Sequence, residues 1–481
     1  MTHSHDYPAP QLYIDGEWTY GTSGKSEPVF NPATGLEIGQ VPHASDADLD
    51  RAIAASVKGF ELWSNTPIAK RATILLKAMD LILSRAKEIA RIETLEQGKH
   101  YKEAYGEVTR SCGTIRWNVE EARRAYGRVI PSAPDIRLTT IRQPIGPVAA
   151  FVPWNFPAGG PLRKLSPGLA AGCSFVIKCS EETPGTICAI VKCFEEAGVP
   201  AGVINLVFGD PPMISEKLIA AEPIRMIAFT GSVPVGKLIA SHAAKVMKPC
   251  IMELGGHAPV IVCADADPVV AAQRAVFAKF MNAGQVCTSP SRFIVHESLH
   301  DKFVETFVAG AKKLKIGNGL VDGVQMGPMA NPRRIEAMEA LIKDAVAKGA
   351  KIETGGSRHG NTGWFFEPTV LTDVPLEADM MQLEPFGPLA PIRKFSDLDA
   401  ALAEANSTPY GLAAYGFTES AATAEKLARG LEAGILSINH TAGSVHEAPS
   451  GGVKESGYGR EGGPEGYDAY TVTKRISHRL Y

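Results

Sequence analysis

The sequence predicts an α/β protein whose parallel sheets are wound from βαβ units and divided among more than one domain. Three observations carry that expectation. The chain has 481 residues, more than one hydrophobic core comfortably organises, since domains run to about 100–200 residues. From residue 145 onward, short apolar runs alternate with helical segments. The 47 glycines and 34 prolines, about one residue in six, show no repeating period, which indicates many turns and close backbone approaches.

Composition narrows the function classes. Apolar residues make up 45% and charged residues 21% of the chain, as in globular proteins and unlike disordered ones. A net charge of −3 leaves no basic field for nucleic acid or a membrane surface. No apolar run approaches the ~20 residues that cross a bilayer, and the first residues lack the pattern of a secretory leader. The eight cysteines, Cys112, Cys173, Cys179, Cys188, Cys193, Cys250, Cys263 and Cys287, form no C-x-x-C pair. Reduced thiols in a cytoplasmic protein without a metal site are the expectation.

In chain order, a short strand region comes first. Ser45 then offers an N-cap for a helix carrying Leu49, Ile53, Val57 and Phe60. A longer helix follows, with Ile74, Ala78, Ile82, Ala86 and Ile89 on one face and Gly98 as its stop. These first 120 residues read as scaffold. Strands are expected at 148–152, 175–178, 203–208, 226–230, 259–262 and 293–296, with helices at 184–197 and 234–244 between them. Strands and helices in alternation imply parallel sheets with right-handed crossovers, and ligands then bind at the carboxyl ends of strands. Residues 137–142 and 470–476 instead alternate polar and apolar residues, as an exposed antiparallel ribbon would. Such a ribbon either contacts another subunit or folds on its own domain.

The strand ends carry the chemistry. At the end of the 226–230 strand, Gly231 turns the chain into a helix that Ser232 can cap, with Pro234 and Gly236 in its first turn. Bare helical N–H groups behind a glycine suit a pyrophosphate. Lys178 and Glu181 put a cation and a carboxylate where a ribose could sit. Asn155 lies between Trp154 and Phe156, flanked by Pro153 and Pro157, so its amide is stiffly presented, as an oxyanion donor must be. Glu253 precedes Gly255-Gly256, and Cys287 follows Asn282-Ala283-Gly284-Gln285-Val286. A thiol with a carboxylate base nearby suggests acyl-type covalent chemistry. Taken singly, these features still favour an ordinary turn, strand end or core residue.

Taken together, these residues, with Glu384 in Glu384-Pro385-Phe386-Gly387-Pro388, resemble the aldehyde dehydrogenase superfamily. The resemblance runs from Asn31-Pro32-Ala33-Thr34-Gly35 to Gly451-Gly452-Val453-Lys454-Glu455-Ser456-Gly457. It implies two doubly wound, Rossmann-like parallel-sheet domains plus a small antiparallel oligomerisation ribbon. The corresponding ranges are 1–122 and 145–252 for the NAD-binding domain, 253–440 for the catalytic domain, and 123–144 with 466–481 for the ribbon. It also implies that Cys287 attacks the aldehyde, that Asn155 and the Cys287 N–H hold the oxyanion, and that Glu253 activates the hydrolytic water. Lys178, Glu181, Gly231, Ser232, Gly236, Trp154, Glu384 and Phe386 would bind the cofactor. Coenzyme-A-acylating relatives lack the base, so Glu253 implies a free acid product. Glu181 would repel a 2′-phosphate, which favours NAD, with NADP less favoured. The thiol neighbourhood suggests a lowered Cys287 pKa. A homodimer or homotetramer is implied, and no metal.

Within the superfamily the chain is most similar to bacterial succinate-semialdehyde and 2-oxoglutarate-semialdehyde dehydrogenases. Arg163 matches one of their carboxylate-binding arginines, whereas the second is Met281 and a helping serine is Val445. Pro-Phe-Gly-Gly reads Pro449-Ser450-Gly451-Gly452, and Gly160 suggests added space. Phe156, Val286 and Thr288 complete the expected pocket. An acid semialdehyde such as succinate semialdehyde is one expected substrate, and a longer or aromatic neutral aldehyde is the alternative. His257, after the Gly-Gly pair, reads as a supporting residue, and Ser289 stands where some relatives carry a second cysteine. A non-catalytic protein of the same fold is the remote alternative, against which the intact Cys287, Glu253 and Asn155 argue.

Overall fold

Ser45 opens the first helix, Asp46–Ser64, through a reciprocal capping box with Asp48. The box satisfies two backbone donors that the first turn would leave bare. In this computed structural model, which describes residues 7–441 and 445–481, the buried face of that helix is rotated from the expected stripe. Leu49 and Ile53 are buried while Val57 and Phe60 are half-buried. Gly59 lies in the contact instead, because a Cβ there would collide with the Gly202 backbone.

The long helix expected next is two helices, Ile68–Ser84 and Ala86–Gln97, broken at Arg85. Ile82, Ala86 and Ile89 face one core across the break, so their spacing could not reveal it. Gly98 ends the second helix at φ +95°, in the left-handed region that favours glycine. A further helix, Tyr101–Ala122, follows without having been anticipated.

The strands expected at 148–152 and 226–230 form with those bounds, and the helix expected at 184–197 forms as Pro184–Ala197. An eight-stranded sheet runs, edge to edge, through Gly457–Tyr458, Cys250–Glu253, Met226–Thr230, Val148–Val152, Phe175–Cys179, Ile204–Val207, Leu12–Ile14 and Glu17–Thr19. Its five central strands are parallel. Buried on both faces, they read as continuous apolar runs. Strand order reverses between Val148–Val152 and Met226–Thr230, which opens the crevice where such sheets take ligands. Asn155 and Gly231 both follow strands that flank this crevice.

A second sheet orders Lys351–Thr354, Thr369–Thr372, Leu389–Phe395, Pro290–His296, Ala258–Val262, Ala413–Phe417 and Ile435–Ile438. It is parallel apart from its first strand. Phe280, Phe293, Phe303 and Phe307 pack together on one of its faces. The two ribbon segments find each other: Ile136–Pro144 pairs antiparallel with Thr471–Arg479 and, on its other side, with Arg128–Ile130. Val472 and Ile476 on the outer strand are exposed.

Candidate active site

The segment before Cys287 is bent in a way few sequences allow. After the helix Pro268–Phe280, Asn282, Ala283 and Gly284 adopt φ of 49°, 53° and 74° in succession. Non-glycine residues seldom enter this left-handed region, and such strain persists only where the surroundings enforce it. Here the fully buried Gln285 enforces it: its amide donates to Asn282 O at 3.0 Å and its side-chain oxygen accepts from Ala330 N at 2.9 Å. On the far side, the Tyr415 hydroxyl donates to Thr288 O at 2.7 Å. Cys287, half-buried, is thereby held on a fixed loop.

Asn155 reaches this loop from the first sheet. Its side-chain amide donates to Gln285 O at 3.2 Å, which leaves its second N–H for another acceptor. Its backbone carbonyl accepts from Lys99 Nζ and from Asn282 Nδ2, each at 3.0 Å. Glu253 ends the Cys250–Glu253 strand and acts electrostatically on Cys287, as do Glu384 and Arg163. The expected nucleophile, amide and base therefore converge.

The thiol departs from expectation. Burial, then the carboxylates of Glu253 and Glu384, push the Cys287 pKa well up, while Arg163 and a hydrogen bond from Thr288 N–H pull it back. The expectation of a lowered pKa counted no second carboxylate and no burial.

Glu253 has a partner that sequence reasoning missed. It shares a hydrogen bond with Glu461, and burial followed by that neighbouring charge raises its pKa. Burial would raise Glu461 too, but Lys164, the bond from Glu253 and Arg163 bring it well down. Lys164 is fully buried, pairs with Glu461 at 2.8 Å and donates to Thr230 Oγ1 at 2.7 Å. Nothing local marks Lys164 or Glu461, which lie 297 residues apart.

The residues expected to bind the cofactor are held by local contacts. Lys178 and Glu181 form an ion pair of 2.6 Å, and Glu181 also accepts from Gly209 N at 2.8 Å. Ser232 sits at the N-cap of Val233–Lys245, but its hydroxyl does not cap the helix. The first-turn N–H groups are thus left for a ligand. Gly236 lies against Leu254, where a Cβ would collide. Trp154 meets Phe386 edge to face at 5.6 Å. Glu384 accepts from Gly256 N at 3.0 Å, and burial lifts its pKa to about 7.

The model of the aldehyde dehydrogenase family matches residues 18–476. The chain belongs to that family. The 4-(hydroxymethyl)benzenesulfonate dehydrogenase of Comamonas testosteroni is 45% identical over 469 residues, covering 97% of this chain and 98% of that one. The crystal structure of succinate-semialdehyde dehydrogenase from Burkholderia pseudomallei superposes with a TM-score of 0.97 at 40% identity, covering 100% and 99% of the two chains. An NADP-dependent enzyme of Escherichia coli gives 0.96 at 40% identity, with 98% of each chain covered. As a family member the protein is an oxidoreductase that oxidises aldehydes with NAD(P).

The residues expected to line the pocket of this aldehyde dehydrogenase are not all gathered. Arg163 lies 3.9 Å from Glu461 and donates to Ser450 Oγ at 3.4 Å. Ser450 is buried and exchanges backbone hydrogen bonds with Glu461, so it serves as framework. Gly160 adds no open space: a Cβ there would fall 2.6 Å from Val152 Cγ1, and its role is close helix–strand packing. Val286 is buried, Phe156, Met281 and Thr288 are half-buried, and Val445 is 53% exposed. His446 went unnoticed in the sequence; it bonds Thr114 at 3.0 Å and feels the Arg163 charge. His257 is buried between Ser291 Oγ and Met380 O, with its pKa driven well down by burial and then by Arg292. That fits a supporting role and no proton shuttle.

Proposed function

We propose that the enzyme oxidises an aldehyde carrying a distal anion to the free acid, through a thioester on Cys287, with NAD favoured as cofactor. The observation that carries this reading is the convergence of Cys287, the Asn155 amide and Glu253 on one fixed loop. The Cys287 thiol first loses its proton to solvent; the thiolate then forms a bond to the carbonyl carbon, and the carbonyl electron pair moves to oxygen. The free N–H of Asn155 and the Cys287 backbone N–H receive that oxyanion. Bound NAD(P) would supply the hydride acceptor, held by Lys178, Glu181, the uncapped turn after Gly231, Gly236, Glu384 and the Trp154–Phe386 pair. Water then adds to the thioester carbon as Glu253 takes its proton, and the C–S bond breaks to return the thiolate. Glu181 beside Lys178 disfavours a 2′-phosphate and supports NAD over NADP.

Two relatives are named for a benzenesulfonate and for a semialdehyde of a diacid, and both compounds carry an anion remote from the reacting carbon. Arg163, beside the Glu253–Glu461 pair, is the group on which we place that anion. With Met281 in place of a second arginine, a bulky aromatic aldehyde bearing sulfonate or carboxylate fits this reading best, and succinate semialdehyde is the shorter candidate. Residues up to 122 with 145–252 would form the cofactor-binding unit and 253–440 the catalytic unit. The exposed Thr471–Arg479 strand would pair copies into a dimer or tetramer.

The test follows NADH formation across succinate semialdehyde, 4-sulfobenzaldehyde and benzaldehyde. Turnover should be highest on an anionic aldehyde and should vanish in Cys287→Ser while NAD binding persists. Equal kcat/KM for benzaldehyde and its sulfonate would overturn the substrate reading, and full activity in Cys287→Ser would overturn the chemistry.

A further inference from the structure

The helices of the first 120 residues do more than support the sheets, because the turn between two of them enters the active site. Lys99 follows the Gly98 stop and is 1% exposed. Its ammonium has three N–H donors, and three acceptors surround it: Glu93 at 3.0 Å, the Glu107 carboxylate, and Asn155 O at 3.0 Å. Glu107 then turns its other oxygen toward the chain just beyond Asn155, accepting from Ala158 N at 3.0 Å and Gly159 N at 2.9 Å. Those are orphan donors at the start of the Gly159–Ala171 helix, which has no side-chain cap of its own.

Residues 155–159 are thus gripped from both ends by one ion pair. The carbonyl of Asn155 is fixed by the cation, and the amides of 158 and 159 by the anion. Burial, followed by the Glu107 charge, pushes Glu93 well above the usual carboxyl range, and Lys99 pairs with both carboxyl groups. The same turn holds the nucleophile loop. Gln97 Nε2 donates to Asn282 Oδ1 at 2.9 Å, and Lys99 N donates to Gln97 Oε1 at 2.8 Å.

We propose that Lys99, paired with Glu107, is a positioning residue that sets the Asn155 amide on the oxyanion. The contact falls on the backbone carbonyl of the residue whose side chain does the donating. Loss of that contact leaves the carbonyl on Asn282 Nδ2 alone, so the peptide plane can tilt and carry the amide off its acceptor. An oxyanion donor acts only when held within a few tenths of an ångström of its acceptor. The inference rests on the proposed role of Asn155.

A double-mutant cycle of Lys99→Met and Asn155→Ala tests it. Three rates are read: kcat on the aldehyde, cofactor-free hydrolysis of p-nitrophenyl acetate, and alkylation of Cys287 by iodoacetamide, which builds no oxyanion. Lys99→Met should lower the first two by about 10–100-fold, less than the outright loss of an oxyanion donor because the amide is misplaced and not removed. Alkylation and NAD affinity should stay within about twofold. Added to Asn155→Ala, it should cost almost nothing more, since both changes remove one interaction. Additive losses, or an equal fall in alkylation, would show a purely structural lysine and overturn the proposal. An unaffected Asn155→Ala would instead overturn the oxyanion role itself. If Lys99→Met does not fold, Glu107→Gln keeps an acceptor for Ala158 and Gly159 while weakening the hold on Lys99, and the same pattern of rates decides.

Discussion

Glu253 and Glu461 are buried carboxyl groups that act on each other's ionisation, Glu253 pushed up and Glu461 brought down. Two carboxylates at this range cannot both ionise freely. Lys164 at 2.8 Å and Arg163 at 3.9 Å stand on the Glu461 side, and a proton therefore rests on Glu253. In its proposed role as base, Glu253 must give that proton up before it can take one from water.

A pH dependence follows. Glu253 acts as a carboxylate, and its pKa is raised, so hydrolysis is lost as pH falls through a value above the ordinary carboxyl range. Glu461→Gln removes the repelling charge while Lys164 and Arg163 stay, which lowers the Glu253 pKa. The acidic limb of acyl-enzyme hydrolysis, read as the steady-state phase of p-nitrophenyl acetate turnover, should move to lower pH in this variant. A shift to higher pH would contradict this arrangement of charges.

On the proposed reading, cofactor choice turns on the Lys178–Glu181 pair, 2.6 Å apart. Glu181→Gln keeps the shape of the ribose site and deletes the charge that faces a 2′-phosphate, while Lys178 remains to attract it. The NADP-to-NAD ratio of kcat/KM should rise about tenfold, the scale of removing one like-charge contact in a partly solvated site. Steady-state kinetics with both cofactors measures it, and an unchanged ratio would place discrimination elsewhere.

Gly284 and Gly360 separate backbone strain from collision. Their φ values are +74° and +73°, yet a Cβ on Gly284 would strike the Gly387 carbonyl whereas one on Gly360 meets nothing within 4 Å. Gly360→Ala should cost about 1–2 kcal/mol of stability for the left-handed conformation and leave kcat intact. Gly284→Ala should also displace Cys287, and kcat should fall about 100-fold, as misplacement of a reacting group does. Thermal unfolding and kcat on both variants check this.

What the sequence discloses depends on how local the physics is. The strands Val148–Val152 and Met226–Thr230 show as apolar runs between turn residues, and the Ser45 cap needs only Asp48 three residues on. The motifs around Asn155, Glu253 and Cys287 are legible because each is a short run of unusual residues. Lys99, Lys164 and Glu461 are not, because an isolated charge in a sequence looks solvated until the fold buries it beside its partner. The break at Arg85 and the raised thiol pKa share that cause: both depend on what packs alongside. Gly160 shows the converse error, since a small residue signals either open space or a close neighbour, and here the neighbour is Val152.

On the proposed reading, substrate range turns on position 281. Met281 closes the helix Pro268–Phe280 immediately before the left-handed turn to Cys287 and is half-buried, so a longer side chain can extend without entering the core. Met281→Arg would add a second cation to Arg163 and shorten the pocket. For succinate semialdehyde, whose carboxylate lies only a few bonds from the aldehyde, kcat/KM should rise about tenfold, the worth of one charge-assisted contact at a partly exposed site. For 4-sulfobenzaldehyde the added side chain occupies space that the ring requires, and kcat/KM should fall. The two substrates are therefore expected to move in opposite directions. A parallel loss on both would mean that residue 281 shapes the nucleophile loop and not the pocket, and alkylation of Cys287 would slow with it. A gain on both would leave charge without size as the determinant, and the preference for a bulky anionic aldehyde would be wrong.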